Sequence, residues 1–186
     1  MSREVRLTAA SLRGLAHPLR VRILGLLRAN GPATSTTLAL ALGQSTGTTS
    51  YHLRQLAAHG FIVDDEELGA GRERWWKAAH QRTTFDTSDL PDIDPADVVA
   101  YMRAVAASYA DNVDRWLNET YTGPWRDVGT LSDWRLKLTR AETEELQAAI
   151  FELASRYRRY DAEEAPEDAQ PVSLQVQVMP FVQEAE

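Results

Sequence analysis

Between Leu38 and Leu56 the sequence ends one helix on a glycine and caps another two residues later, and no other stretch restricts the local geometry as much. Leu38, Leu40 and Leu42 belong to a short helix capped by Thr34 or Ser35, and Gly43 supplies the left-handed residue that stops it. Ser45 starts the next helix, which runs through Leu53 and Leu56 to Gly60. In it Thr49, Leu53 and Leu56 stand at i, i+4 and i+7, so they share the face predicted to be buried. At roughly 100° per residue, Gly47, Thr48, Ser50, Tyr51, Arg54 and Gln55 then point outward.

The outward residues are hydroxyls, an amide, a guanidinium and a phenol, with no carboxylate among them. Such groups exchange hydrogen bonds with base edges and phosphates. A supporting helix, a tight turn and a second helix with one locked and one open face make a helix-turn-helix, whose second helix lies in a DNA major groove. Arg54 and Gln55 are the candidates for bidentate contacts to guanine and adenine. Gly47 gives up about 1 kcal/mol of helix propensity against alanine and would let the backbone come close to a duplex. An ordinary polar helix face has a similar composition, so the flanking elements must decide.

Those elements agree with the DNA reading. A helix begins after Thr8 and passes through Leu12 and Leu15 to Ala16. A second opens at Pro18, carries Leu19, Ile23, Leu26 and Leu27 on one face, and stops at Asn30-Gly31-Pro32. Phe61-Ile62-Val63, the acidic run Asp64 to Glu67, the tip Gly69-Ala70-Gly71 and the run Arg72 to Lys77 form a predicted hairpin. The net charge of −7 also divides usefully: residues 1–82 hold eleven Lys/Arg and six Asp/Glu, a balance of +5, and residues 83–186 hold nine against twenty-one, a balance of −12. A basic front half suits contact with phosphates.

Leu15-Ala16-His17-Pro18-Leu19-Arg20-Val21-Arg22-Ile23-Leu24, Leu42-Gly43-Gln44-Ser45, Ser50-Tyr51-His52-Leu53-Arg54-Gln55-Leu56 and Gly60-Phe61-Ile62-Val63 together resemble the winged helix-turn-helix regulators of the ArsR type, over about residues 8–80. The resemblance implies a bacterial homodimeric repressor or activator, in the first instance a repressor, that binds a palindromic operator in double-stranded DNA, and the lack of cysteine and of a membrane-crossing run makes a cytoplasmic protein the default. By carry-over, Ser45 through Gln55 form the recognition helix, and Arg72 and Arg74 lie where the wing approaches the minor groove or nearby phosphates. The candidate DNA contacts are therefore Gln44, Ser45, Thr46, Gly47, Thr48, Ser50, Tyr51, Arg54, Gln55, Arg72 and Arg74. The competing reading is a winged helix used as a protein-interaction module, which the acidic run Asp64 to Glu67 favours.

The expected fold class is mainly α with a small β-wing: a winged helix-turn-helix domain over 1–82, a linker over 83–95, and a helical dimerisation and effector region over 96–186 ending in a strand. Val98, Met102, Val105, Tyr109, Val113 and Trp116 repeat at helical spacing and are the candidate dimer seam. Leu146, Ile150, Leu153, Tyr157 and Tyr160 mark a further helix behind the capping box Thr139-Arg140-Ala141-Glu142. Val172, Leu174, Val176 and Val178 alternate with polar residues as in a half-buried strand, which could pair with Trp134-Arg135-Leu136-Lys137-Leu138 or with a second subunit. A small organic effector could enter near Met102, Tyr109, Trp116 and Tyr157, although aromatic stripes of this kind are usually core.

Other function classes find little support. The chain has no cysteine, which removes disulfides and thiolate metal sites. Asp111, Asp114 and Glu119 read as a solvated acidic face rather than a cation site, so no metal and no cofactor are expected. There is no nucleophile elbow, P-loop or Rossmann glycine pattern, and an enzyme is not expected. No apolar run approaches the roughly 18 residues that cross a bilayer. His52 should be a satisfied, partly buried histidine, His17 a helix-start residue, and one ring of Trp75-Trp76 should pack on the core.

Overall fold

The computed structural model describes residues 4–69, 73–85, 93–159 and 164–180. The chain forms two compact units, residues 1–119 and 120–186.

The first unit contains β1 (Glu4–Arg6), α1 (Ala9–Leu15), α2 (Pro18–Asn30), β2 (Ala33–Thr34), α3 (Ser35–Leu42), α4 (Thr46–Ala58), β3 (Ile62–Asp64), β4 (Trp75–Ala78), β5 (Arg82–Thr84) and α5 (Pro95–Asn118). Each helix start is satisfied locally. Thr8 and Ser11 cap α1 reciprocally, His17 caps α2, Thr34 caps α3 and Ser45 caps α4. Gly43 ends α3 with φ 61°, and the Gln44 amide donates back to the Ala39 carbonyl at 2.9 Å. Leu12, Ile23, Leu53, Leu56, Phe61 and Ile62 are at most 1% exposed and bind the helices to the base of the wing. Fully burying each such side chain contributes about 1.5–3 kcal/mol.

The wing is the antiparallel pair β3–β4, with β2 on the other edge of β4 (order β2-β4-β3). Trp76, opposite Ala33, is buried, while Trp75 is half-buried. This matches one ring of the pair on the core.

Three expectations need correction. The expected linker over 83–95 begins as structure: β5 runs parallel to β1, in register Glu4↔Arg82 to Arg6↔Thr84, with the Leu7 amide donating to the Thr84 carbonyl at 2.9 Å. Two three-residue strands almost eighty residues apart leave no periodic trace in sequence. Residues 86–92 of that stretch lie outside the described residues. Second, α5 belongs to the first unit and packs on α1 and α2, where the buried Ala104 and Ser108 allow close approach. Two ion pairs accompany this contact, Arg13–Asp97 at 2.8 Å and Arg22–Asp111 at 3.1 Å. Of the candidate seam, Val98 packs against the core of the first unit rather than lying open to a partner; Val105, Tyr109, Val113 and Trp116 are half-buried, and Met102 is 49% exposed.

The third correction concerns the second unit, which contains a 3₁₀ turn (Gly123–Trp125) and α6 (Arg140–Ser155). The capping box is present, with the Thr139 amide donating to Glu142 Oε2 at 2.7 Å. The helix ends at Ser155, before Tyr157, and Tyr160 lies outside the described residues. Neither 134–138 nor 172–178 is a strand. An alternating segment becomes a strand only when another edge takes its N–H and C=O groups.

Candidate nucleic-acid interface

The faces of α4 follow from its anchors. Thr49 is fully buried and its hydroxyl donates to the Ser45 carbonyl at 3.1 Å; Leu53 and Leu56 are fully buried as well. With that side fixed, Gln44, Ser45, Thr46, Gly47, Tyr51 and Arg54 are exposed, and Thr48, Ser50 and Gln55 are half-exposed. Ser45 Oγ accepts from the Thr48 amide at 3.1 Å and lies 2.8 Å from Thr48 Oγ1, so both hydroxyls also serve the helix start. A Cβ on Gly47 would meet only Ser45 Oγ, at 3.8 Å. The fold therefore has no internal need for glycine there.

At the wing, Arg74 is drawn onto the protein. Its Nε donates to Asp64 Oδ2 at 2.6 Å, and its guanidinium carbon lies 4.1 Å from the centre of the Trp76 ring. The side chain keeps 60% of its exposure, so it remains accessible at the wing surface. Asp65 is buried with Lys77 Nζ 3.3 Å away. Two of the four carboxylates in the acidic run are thus engaged by cations of β4 and of the turn before it. Arg72 lies outside the described residues.

Sequence reasoning missed a contact behind α4. The His17 and His52 rings lie with centroids 4.4 Å apart, tilted by 42°, and Tyr51 and His52 meet T-shaped at 5.1 Å. His17 Nδ1 accepts from the Leu19 amide at 3.1 Å, which requires that nitrogen to be unprotonated. His52 is 6% exposed and its Nδ1 has no hydrogen-bond partner, so the residue is buried as expected but not satisfied. Burial and, secondarily, Arg20 lower the pKa of His17; burial, then His17 and Arg20, lower that of His52. Both shifts favour the neutral imidazole where α2 meets α4. Elsewhere burial pulls Arg28 down to about 10, still charged at neutral pH, where it ties α2 to the His80 carbonyl and the Thr83 hydroxyl.

The candidate cation ligands on α5 are partly committed, since Asp111 faces Arg22. Among the described residues there is no cluster of three or more metal-ligating side chains. Of the candidate effector-lining residues, Met102, Tyr109 and Trp116 belong to the first unit and Tyr157 to the second. Among the described residues no helix is long and apolar enough to cross a membrane.

A family model described as a helix-turn-helix domain matches residues 15–64, from the end of α1 through β3. The chain carries a helix-turn-helix domain. The match covers both helices around Gly43 and the first wing strand, under half of the sequence. Among solved structures, the chain is similar to one described as a possible transcriptional regulator for arsenical resistance, with 24% identity over 58% of this chain and 93% of that chain and a TM-score of 0.33. It is also similar to a mutant of Lactococcus lactis ZitR in apo form, with 16% identity over 75% of this chain and 82% of that chain and a TM-score of 0.32. A search of curated proteins finds no match. In this chain the helix-turn-helix domain is followed by its wing, by β5 and by α5, all within the first unit.

Proposed function

We propose that this protein is a sequence-specific, double-stranded DNA-binding transcriptional regulator of the ArsR type, acting in the cytoplasm as a homodimeric repressor on a palindromic operator. One observation carries the reading: α4 is locked from beneath by Thr49, Leu53 and Leu56 and presents an uncharged-to-cationic row, free of carboxylates, on its open side. In this reading Gln44, Ser45, Thr46, Gly47, Thr48, Ser50, Tyr51, Arg54 and Gln55 meet the major groove and its flanking phosphates, with Arg54 and Gln55 as base readers. Arg72 and Arg74 serve the adjacent backbone from the wing. Arg74 would then exchange its Asp64 partner for phosphate, at little cost for so exposed an ion pair.

Two copies would join through α5, where Val99 (46% exposed) and Met102 (49%) adjoin the half-buried Val105, Tyr109, Val113 and Trp116. A two-fold pair sets its reading helices one DNA turn, about 34 Å, apart, so the operator should share that symmetry. The absence of cysteine from the sequence leaves no thiolate route to metal or arsenical sensing, and any effector would be a small organic molecule.

A gel-shift titration with fragments of the source genome tests the reading. A subset of fragments should be retained, with affinity falling steeply as salt rises. Retention of none at low salt refutes it and leaves the winged helix as a protein-interaction module.

A further inference from the structure

The inner side of α4 carries one group that packing alone does not explain. His52 is buried, yet its Nδ1 has no hydrogen-bond partner, an unfavourable state that a purely apolar side chain would avoid. The ring is also the middle of a row of three. On one side it touches His17, 4.4 Å away between centroids; on the other it meets Tyr51, which stands exposed in the candidate DNA-facing row. His17 in turn is the cap of α2, and its Nδ1 can accept from the Leu19 amide only while it carries no proton. A helix cap is thus joined through one buried ring to the open face of α4.

The surroundings of the pair offer a proton no counter-charge. Arg20, one turn beyond the cap, acts as a positive charge on both rings; its Nη2 donates to the Arg13 carbonyl at 2.9 Å and its Nε is buried without a partner. The carboxylates of the neighbouring elements are committed elsewhere: Asp97 and Asp111 of α5 pair with Arg13 and Arg22, and Asp64 of β3 pairs with Arg74. Helix α3 carries no ionisable side chain, and His59, just past the end of α4, lies over Gly14 of α1. A proton on His17 turns the capping acceptor into a donor aimed at another donor, so the cap is lost. A proton on His52 sets a buried cation beside Arg20 and, once His17 is charged, beside a second imidazolium.

We propose that His17 and His52 form a proton-operated release: protons taken up by the pair undo the cap of α2, part the two rings and displace Tyr51, so that the protein lets go of DNA in mildly acidic conditions. The proposal rests on the DNA-binding reading of α4 and adds the proton as a regulator of that same face. It needs no organic effector, and it works through two residues that are not themselves candidate DNA contacts.

The sign of the pH dependence makes the test sharp. Charging the remaining histidines and neutralising carboxylates makes any protein more cationic, which by itself tightens DNA binding on acidification. Here the affinity of the full-length chain for a retained fragment, titrated at constant ionic strength, should instead fall below about pH 6.5. The fall should reach up to about tenfold per pH unit for each proton taken up. His17→Asn keeps a capping oxygen and His52→Phe keeps a buried ring; each should bind like the parent at about pH 8 and blunt the fall, and the double variant should remove it. Circular dichroism at each pH restricts the comparison to folded chains. Affinity that holds or rises on acidification overturns the proposal, as does a fall that both single variants retain in full. NMR titration of the free chain provides an arm without DNA: the Leu19 amide and Tyr51 ring signals should shift in step with protonation of His17 and His52. If no fragment is retained even at about pH 8, the regulator reading fails by itself, and Tyr51 signals that ignore the two histidines overturn the proposal separately.

Discussion

Replacing Gly47 with alanine separates what the fold requires from what a bound duplex requires. The new methyl would find Ser45 Oγ at 3.8 Å, an ordinary van der Waals distance, and nothing else within reach. Gly47 is exposed at the second position of α4 and is not among the glycines of positive φ, so alanine fits its backbone without strain. The fold should gain helix propensity, from a few tenths up to about 1 kcal/mol near a helix start, or up to roughly 2–4 °C in Tm for a chain of this length. Against a duplex the same methyl fills space that the backbone would otherwise approach. Taking overpacking of a close-fitted contact as a guide, the cost is about 1–3 kcal/mol, a loss of affinity of about 5- to 150-fold. Urea unfolding followed by circular dichroism measures the first effect and gel-shift titration on a retained fragment the second. Gly47→Ala should be more stable and bind DNA more weakly. A variant that binds as tightly as the parent refutes close backbone approach, and a destabilised one refutes the open face assigned to Gly47.

Gly14→Ala should act oppositely on stability, because its Cβ would lie 2.6 Å from His59 Cγ and 2.9 Å from the buried Phe61 ring; a loss of about 1–3 kcal/mol is expected in the same unfolding assay, and a neutral result would show that α1 does not press on the end of α4. Arg54→Ala should cost about 1–3 kcal/mol of discrimination at one base position, measured by competition between operator variants, and a uniform loss across sequences would make Arg54 a phosphate contact instead. His17 and His52 have native pKa values below the 6.5 of an unperturbed histidine, so the unfolded chain binds protons first as pH falls. Their contribution to stability should be complete above about pH 6.5 and lost as pH drops through the lowered native values. His17→Asn, which keeps a capping side chain, should flatten that decline, and an unchanged pH profile would remove the pair from the account.

The two faces of α4 were legible in sequence because everything that shapes them is local. Ser45, Gly43 and the spacing of Thr49, Leu53 and Leu56 lie within fourteen residues, and a helical period converts that spacing directly into an inner and an outer face. The hairpin, the caps and the capping box at Thr139 were legible for the same reason. Contacts between distant residues were not. The β1–β5 pair joins three-residue strands almost eighty residues apart, and the tilted His17–His52 ring contact joins a helix cap to a buried face thirty-five residues on. The sequence showed an acidic run beside the wing, but only the folded hairpin set Arg74 against Asp64 and Lys77 against Asp65. The long helix shows the division most clearly. Its apolar stripe could be read from spacing, whereas which side of that stripe meets α1 and α2 depended on where Ala104 and Ser108 let another helix come near. Spacing along a chain records how one element is shaped; which surfaces meet depends on side chains brought together from far apart, and alternation alone cannot make 172–178 a strand until an edge arrives to pair with it.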